Sequence, residues 1–271
     1  MADVRFSDAM STTANEDITT NSLHTPEIGQ GWILQQESVP SINDPVQVVT
    51  ANNAKQVIAS NRAFYARHTA GTPLDGADYK VRCRYRLSPV SISDQEYIGA
   101  GCRFRDGSSG NKKYGYAGTV YADTALSPDG YSVGIFKWND TNPNSASILA
   151  NTEKDSYGGG FFWIEMKCWT NADGNAELEF RTADTEAELD DASSITLTHT
   201  DSSSPITQKG EGAIVGRMVD TGGQMRWDDF TVEQIEGPST FVRNRLDHVA
   251  RMPRTIRARH TRPRFIHRVW R

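Results

Sequence analysis

Between Tyr79 and Leu87 the chain alternates strictly. Tyr79, Val81, Cys83, Tyr85 and Leu87 are apolar, and Lys80, Arg82, Arg84 and Arg86 stand between them. Successive side chains of an extended strand point to opposite faces, so this stretch predicts a half-buried antiparallel strand with four cations outside. The cations admit a phosphate-binding or sulfated-glycan reading. The plainer reading, a solvated face paired with acids on a neighbouring strand, is preferred, because surface charge is the default fate of Lys and Arg. Ile98 to Arg105 repeats the pattern, with Ile98, Ala100, Cys102 and Phe104 expected inward and Arg103 and Arg105 outward.

The pattern also predicts a hairpin and its register. Phe162, Ile164, Met166 and Cys168 share one face of a strand, and Ala176, Leu178 and Phe180 share one face of the next. A two-residue turn at Asp173–Gly174 would oppose Trp169 to Leu178, setting an outward residue against an inward one. A three-residue loop, Ala172-Asp173-Gly174, removes the conflict. It opposes Cys168 to Leu178 and Met166 to Phe180 inside, and Lys167 to Glu179 and Glu165 to Arg181 outside, with Gly174 as the left-handed residue.

Further strands are predicted at Gly31–Gln36, 46–49, 56–59, 61–67, 114–121, 131–138, 195–200, 212–219 and 226–235. Turns are expected at Asn52-Asn53, Ser127-Pro128-Asp129-Gly130 and Gly222-Gly223. The loop Asp106 to Asn111 lacks the Gly-Lys-Ser/Thr ending of a phosphate-binding loop. About a dozen strand candidates and no long amphipathic helix before residue 238 imply an all-β antiparallel sandwich or barrel.

Composition adds little to that, and charge adds more. The chain has 271 residues, and its apolar runs are far too short for a membrane helix. MADVRFSDAMSTT has no basic region followed by an apolar core, so no secretory signal is expected. Cys83, Cys102 and Cys168 lie in strand-like runs and read as small buried hydrophobes, not as a disulfide framework or zinc site. The net charge of −5 conceals a division: residues 241–271 hold ten Arg, no Lys and one acid, Asp247, which leaves 19 basic and 33 acidic side chains before them. A sandwich over residues 1–237 and an anchoring tail over 238–271 are therefore expected.

In the tail, Ser239 to Met252 predicts a short helix capped by Ser239 or Thr240 and ended by Pro253. Arg243, Arg245, Arg251, Arg254, Arg257, Arg259, Arg262, Arg264 and Arg268 are interleaved with Phe265 and Trp270. Arginine without lysine favours bidentate and stacked contacts, so these residues are read as partner-binding. An acidic protein surface fits them better than a nucleic acid, since the body of the chain is acidic.

The order of an early Gly31-Trp32 strand, IGAGCRFRD, GYSVGIFKW, the hairpin FFWIEMKCWTNADGNAELEF and the closing GAIVGRMVDTGGQMRWDDFTV resembles the concanavalin A-like lectin/glucanase jelly roll, in its laminin-G-like version, over roughly residues 5–236. The resemblance implies an antiparallel sandwich and, since phages carry many such domains, a virion protein. On this expectation the sandwich is displayed at the virion surface as a head fibre, decoration or tail-associated module. Residues 238–271 would anchor it to other virion proteins, with self-association also open. The alternative is a glycan-binding receptor or adhesin module in an extracellular setting. No membrane partner is expected.

Candidate chemistry is sparse. Trp163 and Trp169 should face outward and either stack on a sugar or fill an interface. A glycosidase would need paired carboxylates. The nearest pair is Glu177 and Glu179, with Phe180 and Arg181 where further acids would be wanted. Hence no catalytic residue and no enzyme activity are expected. His24, His68 and His199 read as isolated, without metal spacing. No cofactor is expected; calcium at the acidic run Asp184 to Asp191 is the one candidate kept open.

Overall fold

A computed structural model describes residues 3–19, 22–36, 46–50, 53–57, 62–69, 74, 76–88, 96–109, 112–122, 131–142, 145–153, 160–218 and 224–235. The turns expected at residues 127–130 and 222–223 lie outside them, as do all the tail residues from Arg243 to Trp270. The described strands, in chain order, are β1 Asp3–Asp8, β2 Glu16–Asp17, β3 Gly31–Gln36, β4 Gln47–Val49, β5 Asn53–Val57, β6 Arg62–Thr69, β7 Tyr79–Ser88, β8 Tyr97–Asp106, β9 Lys113–Ala122, β10 Tyr131–Thr141, β11 Ser147–Glu153, β12 Phe162–Thr170, β13 Ala176–Ala183, β14 Ile195–Asp201, β15 Glu211–Met218 and β16 Gln224–Gln234; one short helix, α1 Glu186–Leu189, falls between β13 and β14.

The strands form two antiparallel sheets, a jelly-roll sandwich. The first runs β14-β13-β12-β7-β16-β5-β4-β2, with β1 also on β16; the second runs β11-β10-β9-β8-β15-β6-β3. The inward residues of β7 (Tyr79, Val81, Cys83, Tyr85 and Leu87) are all fully buried. They meet Ile98, Ala100, Cys102, Val120, Val133 and Ile135 of the second sheet in one core. The three cysteines are free and buried within it. The second sheet is apolar on both faces: Tyr97, Phe104, Tyr121, Phe136 and Trp138 form a separate buried cluster.

The β12–β13 hairpin has the predicted register. Cys168 faces Leu178, Met166 faces Phe180, Lys167 faces Glu179 and Glu165 faces Arg181. The Asn171 N–H donates to the Asn175 carbonyl at 3.0 Å, closing a three-residue loop. Gly174 sits there at φ +82°, a conformation that costs a side chain strain. A slip of one residue would set one strand's inward residues, Met166 or Phe180 among them, toward water.

Three features differ from the alternation pattern. Arg103 is fully buried, not outward. The chain makes a β-bulge between Cys102 and Arg105, with Arg103 at φ +60°. A bulge inserts one residue and reverses the parity behind it, so Phe104 packs on the opposite face from Cys102. Second, β15 and β16 are consecutive yet lie in different sheets, β15 between β8 and β6 and β16 against β7, β5 and β1. Third, β1 and β11 form where the polar composition gave no strand signal.

Buried polar groups fasten the two sheets. The Arg103 guanidinium donates to the carbonyls of Ala77 at 2.9 Å and Ile206 at 2.6 Å, to Thr170 Oγ1 at 3.0 Å and to Asp78 Oδ1 at 3.3 Å. Lys137 Nζ lies 2.6 Å from Asp201 and donates to the Ser203 carbonyl at 2.8 Å. Tyr79 donates to the Gly210 carbonyl at 3.1 Å. Together they pin the connection from β14 to β15 against the interior. Such groups are tolerated inside only because nearly every donor is matched.

Candidate functional site

The outer face of the first sheet carries the side chains singled out in the sequence, and the strand registers arrange them in rows. The first row is Trp169–Glu177–Thr200 across β12, β13 and β14. The second is Lys80–Lys167–Glu179–Thr198, and the third is Thr231–Arg82–Glu165–Arg181–Thr196. The fourth is Asp228–Arg84–Trp163–Ala183. Trp163 and Trp169 therefore stand at opposite ends of one strand face, roughly 20 Å apart at the rise of an extended chain. They do not make one subsite.

Between them lies a lattice of ion pairs. Glu165, only 1% exposed, receives Arg82 at 2.5 Å, Lys167 at 3.1 Å and Lys80 at 3.6 Å. Burial works to raise its pKa, but Lys167 and Arg82 outweigh it and hold the carboxyl below the usual range. Lys167 also pairs with Glu179 at 2.9 Å, and Arg181 lies 2.9 Å from the same oxygen. Lys80 reaches Glu233 at 2.9 Å. The plainer reading of the β7 cations holds for Lys80, Arg82 and Arg84, whose acids come from neighbouring elements.

The acidic run is spent on structure. Thr185 and Glu188 form a capping box on α1. Glu186 and Asp190 lie 3.2 and 3.3 Å from Arg82, and Asp191 accepts the Ser193 N–H at 3.2 Å. Arg181 donates to the Leu189 carbonyl at 3.1 Å, and Leu189 is buried. These carboxylates diverge toward protein donors, and among the described residues no group of three His, Cys, Asp or Glu side chains could hold a metal ion. The run does not fit calcium.

The Trp169 row offers a different chemistry. Trp169 is half-buried. Opposite it, Glu177 Oε1 accepts from Asn171 Nδ2 at 2.6 Å and Oε2 accepts from Thr200 Oγ1 at 2.7 Å. Each carboxylate oxygen has two acceptor positions, so one on each remains open. An indole face, a fixed carboxylate, an amide and a hydroxyl lie side by side on an accessible edge. That set can stack on the C–H face of a pyranose and bond its hydroxyls. Hydrolysis fits it poorly: Glu179 is bracketed by Lys167 and Arg181, and Glu177 by Asn171 and Thr200.

The Trp163 end is more highly charged. Arg84 bonds Asp228, lies 3.5 Å from Asp229, and stands over the Phe161 ring at 4.8 Å. Asp228 is 3% exposed, and burial pushes its carboxyl up to about 6 against the pull of Arg84.

One buried constellation had no local signal. His24 Nε2 lies 2.8 Å from Asp8 Oδ1, and Trp32 Nε1 donates to Asp8 Oδ2 at 2.7 Å. His24 is therefore not isolated: its partner Asp8 lies 16 residues before it, and that same carboxylate also takes Trp32. His68 is buried with both ring nitrogens unbonded, stacked on Phe6 at 4.5 Å.

The architecture is that of lectin-like jelly rolls. Among solved structures, the chain is similar to the metal-free VIP36 exoplasmic/lumenal domain, at 11% identity over 85% of this chain and 94% of that one, with a TM-score of 0.50. The Ca2+/Man-bound form of the same domain matches at 11% identity over 84% and 91%, also at 0.50. A carbohydrate binding module, CBM66 from Bacillus subtilis, matches at 10% identity over 77% and 98%, at 0.46. No family model matches the sequence. No curated protein matches it either.

Proposed function

We propose that this protein is a non-enzymatic glycan-binding module. The observation that carries the reading is the Trp169–Glu177–Thr200 row, an aromatic platform beside a carboxylate whose oxygens each keep an acceptor site. The fold supports it, since solved domains of this shape include one determined with Ca2+ and Man. Among the described residues no group of three His, Cys, Asp or Glu side chains could hold a metal ion.

Screening the protein against a saccharide array, with and without a chelator, tests the reading. Binding to a defined set of glycans, abolished in Trp169→Ala, is expected, and the chelator arm reads whether a metal ion takes part. A wild-type protein that binds no saccharide would end this reading. A virion-anchoring role for residues 238–271 rests on composition alone and is not part of it.

A further inference from the structure

One row beyond Trp163, the outer face of the first sheet breaks its own rule. Lys80, Arg82 and Arg84 each have carboxylate partners. Arg86, next on the same face, has none among the described residues. It is opposed instead by another cation, for the register of β7 with β16 sets it directly across from Arg226. On the other side of β16 the partner of Arg226 is Lys55 of β5, so three basic positions stand in one row over three adjacent strands. Arg226 Nη2 donates to Gln224 Oε1 at 2.8 Å, a neutral acceptor. The Arg86 Nε is buried without a hydrogen-bond partner. Burial, followed by the nearby Arg86, lowers the pKa of Arg226.

Like charges directly opposite on a sheet repel and destabilise it. Elsewhere on this face every such cation was given an acid. An arginine pair left without an acid among the described residues, with a buried donor unspent, has the composition of a site completed by an anion from outside. Two guanidinium forks side by side match the planar oxygens of a carboxylate or the oxygens of a sulfate. The adjacent row supplies Trp163, half-buried and in register with Arg84.

We propose that Arg86 and Arg226 form an anion-binding site that takes the carboxylate or sulfate group of an acidic saccharide. Within the glycan-binding reading, on which the ligand class rests, this makes the protein selective for charged polysaccharides over neutral ones. A single acidic group bridges the two guanidiniums, and a sugar ring extends from it toward Trp163.

The test compares polygalacturonate, dextran sulfate and neutral dextran by calorimetry, on the full chain, for the wild type, the double variant Arg86→Gln/Arg226→Gln and the control Lys209→Gln. Lys209 is exposed and lies on another part of the molecule. The wild type is expected to bind at least one acidic polymer ten-fold or more tighter than dextran. The double variant should lose that margin and the control should keep it. Whichever acidic polymer is preferred tells carboxylate from sulfate. Thermal melts in sodium sulfate against sodium chloride at equal ionic strength give a second readout: sulfate stabilises folded proteins in general, so the midpoint of the wild type should rise by more than that of the double variant. Without ligand, the double variant should melt no lower than the wild type, because the repulsion is gone.

If acidic and neutral polymers bind equally and the double variant changes neither, the proposal is overturned and glycan binding stands. Equal losses in the double variant and the control also overturn it, since they report diffuse charge only. If no polymer binds but sulfate still protects the wild type selectively, the anion site stands and the glycan-binding reading falls.

Discussion

Trp169 lies directly across the β12–β13 ladder from Glu177, and both oxygens of Glu177 are already oriented by neighbours, Asn171 Nδ2 at 2.6 Å and Thr200 Oγ1 at 2.7 Å. A carboxylate held this way presents its remaining lone pairs in fixed directions beside an aromatic face. Trp169→Ala should therefore weaken binding of any recognised saccharide at least ten-fold, measured by calorimetry. Glu177→Gln should weaken it by a smaller factor, because the amide replaces one acceptor by a donor. Truncating the half-buried indole should cost about 1 kcal/mol of stability, so a large fall in melting temperature with no loss of affinity would argue against the site.

His68 sets an acid limit on the fold. Its pKa is lowered to about 3, first by burial and then by Arg67. In the unfolded chain it takes a proton near pH 6.5, and in the folded protein it resists until about pH 3. The unfolded state binds more protons through that window. Stability from this group is thus complete above pH 6.5 and falls by roughly 1.4 kcal/mol per unit as pH drops toward 3. His68→Phe should flatten that slope in urea denaturations at pH 4, 5, 6 and 7. An unchanged slope would show that His68 is not the buried neutral group it is taken to be.

Asp228 works in the opposite sense. Its carboxyl is raised to about 6, chiefly by burial. Between roughly pH 4 and 6 the unfolded chain has lost this proton and the folded protein keeps it, so stability falls as pH rises through the window, by about 3 kcal/mol in all. Asp228→Asn should remove this fall, making the variant gain on the wild type as pH increases from 4 to 7. Parallel stability profiles for the two proteins would rule the shift out. In the wild-type profile the His68 and Asp228 slopes oppose each other, so the variants are needed to separate them.

Arg103 is the principal polar fastener. Arg103→Met leaves the Ala77 and Ile206 carbonyls without their side-chain donor and removes the cation beside Asp78, whose Oδ1 keeps the Thr170 N–H, at a cost of about 3–5 kcal/mol. Arg103→Lys should recover little, since one ammonium cannot reproduce a planar fork that meets four acceptors. Urea midpoints read both outcomes, and a near-neutral Arg103→Met would mean the network contributes little.

Much of the fold was legible along the chain. Strict period-two alternation placed Tyr79–Leu87 correctly, and cross-strand charge matching selected the hairpin loop, because apolar and ionic pairs agreed on one register. The outward positions of Trp163 and Trp169 followed from the same parity. What parity could not give was any place where the backbone adds a residue. At Arg103 and at Asp229, both with positive φ, a bulge resets the alternation. One reset carries an arginine inside, and the other lets Trp227 and Phe230, three apart, share the core.

Within uninterrupted strands the sequence by itself determined which side chains share a face, because that depends on nearest neighbours and the geometry of an extended backbone. Apart from the β12–β13 hairpin, only the tertiary structure decided which strands lie side by side. β15 and β16 parted into separate sheets, Asp8 met His24 and Trp32, and β7 came to lie between an acid-bearing neighbour and Arg226. Those pairings join residues as far apart as Arg86 and Arg226, and nothing local encodes them. The rows of the outer face, with the Trp169 platform at one end and the unneutralised arginines at the other, exist only after the sheet has assembled.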